Sequence, residues 1–306
     1  MRHHFIVGFD GTAGGSDALA LATTLADAVP QDAVEITVAS ITPLHPRGRG
    51  VPGAGAGHAD AVRDAAEERL RAARDACADR PGVSFVVRAA TSPAHGLQLL
   101  AAELGARAIV VGRSHTGPLG RTFVGSATEQ TLHGAGCPVA VAPVGYAAEQ
   151  HEIATVAVAY DGSDSAAAAL TFATRLARDR DAVLRLVRVN EPLPMAYGGM
   201  VAPYPVATLR EDAQATLDDA AGRVVGLAVE TSLLDGSAVH ALSQPGAGAD
   251  LLVVGSRDFG PVGRILLGAV GARLSRHCPT PLIVVPRDAA ATSSAAATGA
   301  EVASVS

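Results

Sequence analysis

Two triplets and two glycine-spaced segments are where this sequence could do chemistry. Asp10-Gly11-Thr12 and Asp161-Gly162-Ser163 each follow an apolar run and precede an Ala/Leu-rich stretch. A carboxylate placed there can accept from a sugar hydroxyl or support a metal ion. It can equally close an Asx turn at a helix N-terminus. The glycine segments share the pattern G-x4-G-P-x-G-R-x3-G. It runs through Gly112, Gly117, Pro118, Gly120, Arg121 and Gly125, and again through Gly255, Gly260, Pro261, Gly263, Arg264 and Gly268. Glycines let backbone amides turn and come close to a phosphate. Gly125-Ser126 then opens a helix, whose free amides and dipole favour an anion. Ser126-Ala127-Thr128-Glu129 also matches the capping box S-x-x-E, so the Ser126 hydroxyl has two competing uses.

Other chemistry finds no foothold. No metal-ligand spacing such as HExxH or CxxC…CxxC occurs, and no Ser-His-Asp order or carboxylate pair points to a hydrolase. No catalytic residue and no metal ligand is assigned. His95, His133, His240 and His277 read as ordinary packed or exposed residues on or near helices. Cys77, Cys137 and Cys278 lack any framework and read as buried small hydrophobes in a reducing compartment.

The elements that must position these residues are written twice. FIVGFDGT at 5–12 returns as VAVAYDGS at 156–163, and the VVG of 110–112 returns at 253–255. GCPVAVAP at 136–143 returns as HCPTPLIVVP at 277–286. A repeat of this length is a domain duplication. Strands are expected at 5–9, 34–41, 83–89, 107–112 and 138–142, then at 154–160, 182–189, 227–234, 250–255 and 281–285. Helices are expected at 14–28, 59–78, 94–104 and 126–134, then at 164–178, 207–223, 237–244 and 269–277. The strands are Val/Ile-rich and apolar on both sides, as in a parallel sheet covered on both faces. The fold class is therefore α/β, with two doubly wound parallel-sheet domains in tandem at 1–146 and 151–287. Residues 43–58 and 190–206 are Pro/Gly-rich and read as mobile loops. Residues 288–306 are low-complexity and read as a disordered tail.

Composition narrows the function. The 306 residues are 48% hydrophobic and 3% aromatic, with no Trp, so the core is built from Ala, Val and Leu. The net charge of −6, with Arg scattered among Asp and Glu, argues against a nucleic-acid partner. No apolar run reaches about 18 residues, and the N-terminus enters a strand directly. The expectation is a cytoplasmic protein with no membrane partner.

Taken in this order, twice, over about 3–287, these residues resemble the universal stress protein family in its tandem form. The resemblance implies a Rossmann-like fold of the adenine nucleotide alpha hydrolase type. It also implies that the last strands of the two halves pair across a pseudo-twofold, giving an intrachain pseudo-dimer and leaving a homodimer open. ATP-binding members carry G-x-x-G, nine residues, then G-(S/T). Here the first half carries Gly112, then His115 in place of the second glycine, then Gly125-Ser126. The second half carries Gly255, then Asp258, then Gly268-Ala269. The adenine-side contact would fall near Ser40 or Val189, and the strand-end carboxylate on Asp10, beside Gly11, and on Asp161. His115 can donate to a phosphate and carry positive charge. Asp258 about 5 Å from one phosphate charge costs roughly 3 kcal/mol at an effective dielectric near 20. The implied function is a stress-responsive regulatory protein binding ATP or another adenine nucleotide, with Mg2+ optional, mainly in the first half. The alternative is a nucleotide-independent interaction module with degenerate sites.

Overall fold

The computed structural model describes residues 3–44, 56–77, 80–113, 126–191, 206–244, 248–256, 265 and 267–287. Its first half runs β1 (His3–Gly8), α1 (Ala13–Ala26), β2 (Val34–Pro43), α2 (Ala56–Ala76), β3 (Val83–Ala90), α3 (Pro93–Glu103), β4 (Ala108–Gly112), α4 (Ser126–Leu132) and β5 (Val139–Ala142). The second half repeats it as β6 (Thr155–Ala159), α5 (Asp164–Arg178), β7 (Val183–Asn190), α6 (Val206–Gly222), β8 (Val229–Asp235), α7 (Ala238–Ser243), β9 (Leu251–Gly255), α8 (Ala269–His277) and β10 (Leu282–Val285). Every expected strand and helix is present. The mobile-loop assignments fall largely, and the tail assignment wholly, outside the described residues.

The ten strands form one sheet in the order β3-β2-β1-β4-β5-β10-β9-β6-β7-β8. Within each half all pairs are parallel. The halves join where β5 and β10 pair antiparallel, Leu282 opposite Val141 and Val284 opposite Val139. The pairing implied by the resemblance is thus realised, and each half's inner edge is closed by the other.

Side-chain alternation divides the core into two faces. Leu21 and Leu25 of α1, Leu70 of α2, Leu176 of α5 and Leu217 of α6 cover one. Leu97 and Leu100 of α3, Leu132 of α4, Leu242 of α7 and Leu274 of α8 cover the other. Strand bounds shift for identifiable reasons. β2 runs to Pro43 rather than 41 because Pro43 stays in register with Ala90 and the Leu44 amide donates to the Ala90 carbonyl. α4 stops at Leu132 rather than 134, since Gly134 takes φ +85° and gives its amide to Ile265 of the other half.

Buried charges fasten the halves. Asp17 on α1 is fully buried, and its carboxylate accepts from the Gly145 and Ala147 amides, pinning the connecting segment. Arg180, just past α5, donates to the Thr24 and Leu25 carbonyls at the end of α1. Burial, with Arg107 nearby, lowers the Arg180 pKa to about 10, which still leaves it charged at neutral pH. Arg107 lies 2.9 Å from Asp179 across the same boundary.

With these ties the halves should unfold together. Urea melts followed by far-UV circular dichroism and by tyrosine fluorescence are expected to coincide. Two transitions at the midpoints of the isolated halves would contradict this. Asp17→Ala, which strands two amide donors, should lower that one transition by about 3 kcal/mol.

Candidate functional site

In each half the strand order reverses between the first and fourth strands, the switch point where open α/β sheets form a crevice at the strands' carboxyl ends. At the end of β1, the Asp10 Oδ1 accepts from the Thr12 amide at 3.0 Å and the Thr12 hydroxyl at 2.6 Å. The Thr12 Oγ1 in turn caps α1 by accepting from the Gly15 amide. Asp161 and Ser163 repeat this geometry, with the Ala166 amide in the place of Gly15. The Asx-turn use of these carboxylates is therefore built in both halves. Gly11 and Gly162, at φ +78° and +89°, sit in the left-handed region that the turn needs.

Gly112 has a packing reason to be glycine. A Cβ there would lie 1.8 Å from the Gly14 carbonyl oxygen, since the first turn of α1 rests on the end of β4. Gly255 repeats the constraint against the Ser165 carbonyl oxygen at 2.4 Å. This is the close helix–strand approach typical of dinucleotide folds.

Above Gly112 sits α4. The buried Thr128 hydroxyl donates to the Gly112 carbonyl at 2.7 Å, holding the first turn of α4 over the exit of β4. Ser126 opens that helix, but its side chain lies outside the described residues. Glu129, the far member of the capping box, accepts instead from Arg276 of the second half at 2.8 Å. In the second half residue 271 stands where Thr128 stands, and it is glycine. The α8 N-cap is Gly268, with no side-chain cap.

Ser40 follows Ala39, whose carbonyl takes the Phe9 amide just past β1. It is 1% exposed, and its hydroxyl has no hydrogen-bond partner among the described residues. Alternation puts it on the α1/α2 face. Val189 does not match it. Ala159 pairs with Val187 as Gly8 pairs with Ala39, so Arg188 is the counterpart of Ser40. Val189 packs on the opposite, α7/α8 face. Arg188 donates to the Asp161 carbonyl at 3.3 Å, across the second crevice.

The structure therefore gathers Asp10, Gly11, Ser40, Gly112 and Ser126 at one sheet edge. It gathers Asp161, Gly255 and Gly268 at the other and leaves Val189 aside. His115, Gly117, Pro118, Gly120, Arg121 and Gly125, like Asp258, Gly260, Pro261, Gly263 and Arg264, lie outside the described residues. Thr128, Arg188 and Arg113 were not singled out from the sequence. Aligning the two copies residue by residue would have exposed all three as positions where the halves differ. Arg113 follows Gly112 but turns away, donating to the Arg276 and Cys278 carbonyls of the second half. Among the described residues no cluster of three or more His, Cys, Asp or Glu side chains is placed to hold a metal ion. Burial pushes the Cys137 thiol up to about 12, far from a thiolate at neutral pH. No helix among the described residues is long and apolar enough to cross a membrane.

The Universal stress protein family matches residues 1–143 and 152–286. A universal stress protein of Mycobacterium tuberculosis is 26% identical over 298 residues, covering 92% of this chain and 99% of the relative. One of Mycolicibacterium smegmatis is 30% identical over 143 residues, which is 44% of this chain and 48% of that relative. Along that alignment the chain spans about half the relative's length. A universal stress protein structure from Archaeoglobus fulgidus covers 93% of this chain and 98% of its own, with TM-score 0.62 and 19% identity. It shares the fold.

The Gly112 contact is testable without any ligand. Gly112→Ala should destabilise by about 3 kcal/mol or more, because the opposing atom is backbone. Gly222→Ala, with nothing within 4 Å of the added methyl, should be neutral or stabilising by up to about 1 kcal/mol. Equal urea midpoints for the two variants would show that α1 does not press on β4.

Proposed function

The chain belongs to the universal stress protein family, and from that premise we propose that it is a stress-responsive regulatory protein whose first half holds ATP or another adenine nucleotide. The observation that carries this is the buried Ser40 hydroxyl, without a partner among the described residues, next to the switch point. A buried hydroxyl left unpaired costs about 1–3 kcal/mol, and a ligand donor or acceptor removes that cost. The base and sugar then lie over the ends of β1 and β2, near Ser40 and Asp10. The phosphates lie toward the segment between Gly112 and Ser126, where Gly125 and His115 are the amide and side-chain contacts. Thr128 fixes the helix end of that segment. With Asp10 Oδ1 committed to Thr12, Mg2+ would be held chiefly by the phosphates themselves.

The second half is the poorer receptor. Arg188 replaces Ser40 and spans toward Asp161, residue 271 offers no hydroxyl, and Asp258 repels phosphate. A second reading, a nucleotide-independent interaction module, is favoured by one fact. The Asx turns and the Gly112 packing account for Asp10, Gly11 and Gly112 with no ligand at all.

Calorimetry with ATP separates the two. One nucleotide per chain is expected, lost in a folded Gly125→Val variant. Asp258→Gly, Ala269→Ser and Arg188→Ser together should bring a second. The Asp258 change alone is worth roughly 3 kcal/mol, or over a hundredfold in affinity. Two equal sites in the wild type would refute the asymmetry. No binding of ATP, AMP or cyclic AMP would leave the interaction module standing.

A further inference from the structure

At the other end of the sheet from the first crevice, four polar side chains run in file across β1, β2 and β3. The Glu35 carboxylate lies 3.5 Å from the His4 Nδ1. The His4 Nε2 lies 2.8 Å from the Thr37 hydroxyl, which lies 2.9 Å from the Ser84 hydroxyl. Ile6, two residues after His4, is opposite Thr37, and Thr37 is opposite Ser84. Alternation therefore puts the whole file on the face that α3 covers. No spacing in the sequence announces it, because its links span 33 and 47 residues. Thr37 is buried, and Ser84, at the end of the file, is exposed.

Donors and acceptors give the file a direction. A neutral His4 with its proton on Nδ1 turns that proton to Glu35 and leaves Nε2 to accept from Thr37. The Thr37 oxygen can then accept from Ser84. The Ile36 carbonyl, the alternative acceptor for Ser84, is farther off at 3.5 Å. Burial lowers the His4 pKa against the opposing pull of Glu35, so the ring is a neutral base at neutral pH. A nucleophile, a relay hydroxyl, a base and a carboxylate beside the base thus stand in contact in that order. A backbone donor is at hand as well. The Ile36 amide donates to the Gly82 carbonyl, so the parallel ladder takes up the Ser84 amide and turns the Phe85 amide outward. β3 is the last strand on this side of the sheet, so no neighbouring strand takes that amide. It can meet an oxyanion forming beside the Ser84 oxygen.

We infer that Ser84 is an activated nucleophile, served by His4 through Thr37, that takes an acyl group from a small activated ester. Ser84 stands in the open, which suits a small donor. Its oxygen bonds the acyl carbon while its proton passes to Thr37 and the Thr37 proton passes to His4. The ester C–O bond breaks, and the proton returns along the file to the leaving alcohol. Ser84 is left as an ester. Glu35 offsets the charge that His4 carries between the two transfers. None of this depends on a nucleotide in the crevice.

Incubating the full chain with p-nitrophenyl acetate and mapping acetyl groups by peptide mass spectrometry tests this. The chain has no lysine to compete for the acetyl group. An acetyl ester is expected on Ser84, and Ser84→Ala should remove the matching release of nitrophenolate. Thr37→Val keeps the shape without the hydroxyl, and His4→Gln removes the base. Each, folded by circular dichroism, should slow acetylation of Ser84 by about a hundredfold. Thr37→Ser keeps the relay hydroxyl and should retain most of the rate, a distinction that a purely structural file would not make. If Thr37→Val does not fold, His4→Gln decides. No acetyl on Ser84, or the same rate of Ser84 acetylation in folded His4→Gln, would overturn the inference.

Discussion

Three rungs of antiparallel backbone, Val139 to Val141 against Leu282 to Val284, are the constraint on which the rest of this molecule depends. Each half alone would end its sheet in a four-residue strand that is apolar and buried on both sides. Such an edge, left open, invites association with whatever strand is near. Pairing the two edges intrachain satisfies both and needs no concentration-dependent partner. It also dictates the approach of everything else. α1 comes beside the end of α5 on one face of the sheet, and α4 beside α8 on the other. The cross-half bonds of Arg180, Arg107 and Arg113 all follow from that placement.

Two of the cations at this boundary meet helix C-termini, while Arg107 and Arg276 meet carboxylates. Arg180 ends α1 and Arg113 ends α8. A helix end buried at an interface leaves carbonyls without partners, and water cannot reach them. A guanidinium supplies several donors in a fixed plane and stays charged even when burial lowers its pKa. One side chain can thus serve two carbonyls and meet the negative end of the helix dipole. The burial cost is offset by bonds that only the joined halves can make. This makes the boundary specific, where apolar contact alone would tolerate sliding.

Much of the fold was legible because it rests on local pattern. The apolar strands, the Asp-Gly-(Thr/Ser) turns and the duplicated CP endings each declare themselves within about ten residues. The site was legible only in part. Asp10 could be named as a strand-end carboxylate, yet its sequence left turn and ligand uses open. Geometry shows the turn use, since Oδ1 takes both the amide and the hydroxyl of Thr12. Val189 lies one residue past the register counterpart of Ser40, and in a strand one residue reverses the face. Arg113 could not be read at all. Its partners lie 163 and 165 residues away, and nothing in the surrounding Gly-Arg-Ser-His predicts them.

Duplication also explains why the halves can differ so sharply at their crevices while agreeing everywhere in the sheet. The close backbone packing recurs, Gly112 on Gly14 and Gly255 on Ser165, because no substitution with a Cβ fits at the strand end. The turns recur because their glycines need positive φ. Ser40 and Thr128 carry no such obligation: Arg188 and Gly271 stand in their places and the fold is kept. What is repeated is what the architecture requires. What is not repeated lies around the two strand-end edges: the first keeps the buried, unpaired Ser40 hydroxyl where the second has Arg188, and the second keeps the buried, unpaired Ser256 hydroxyl where the first has Arg113.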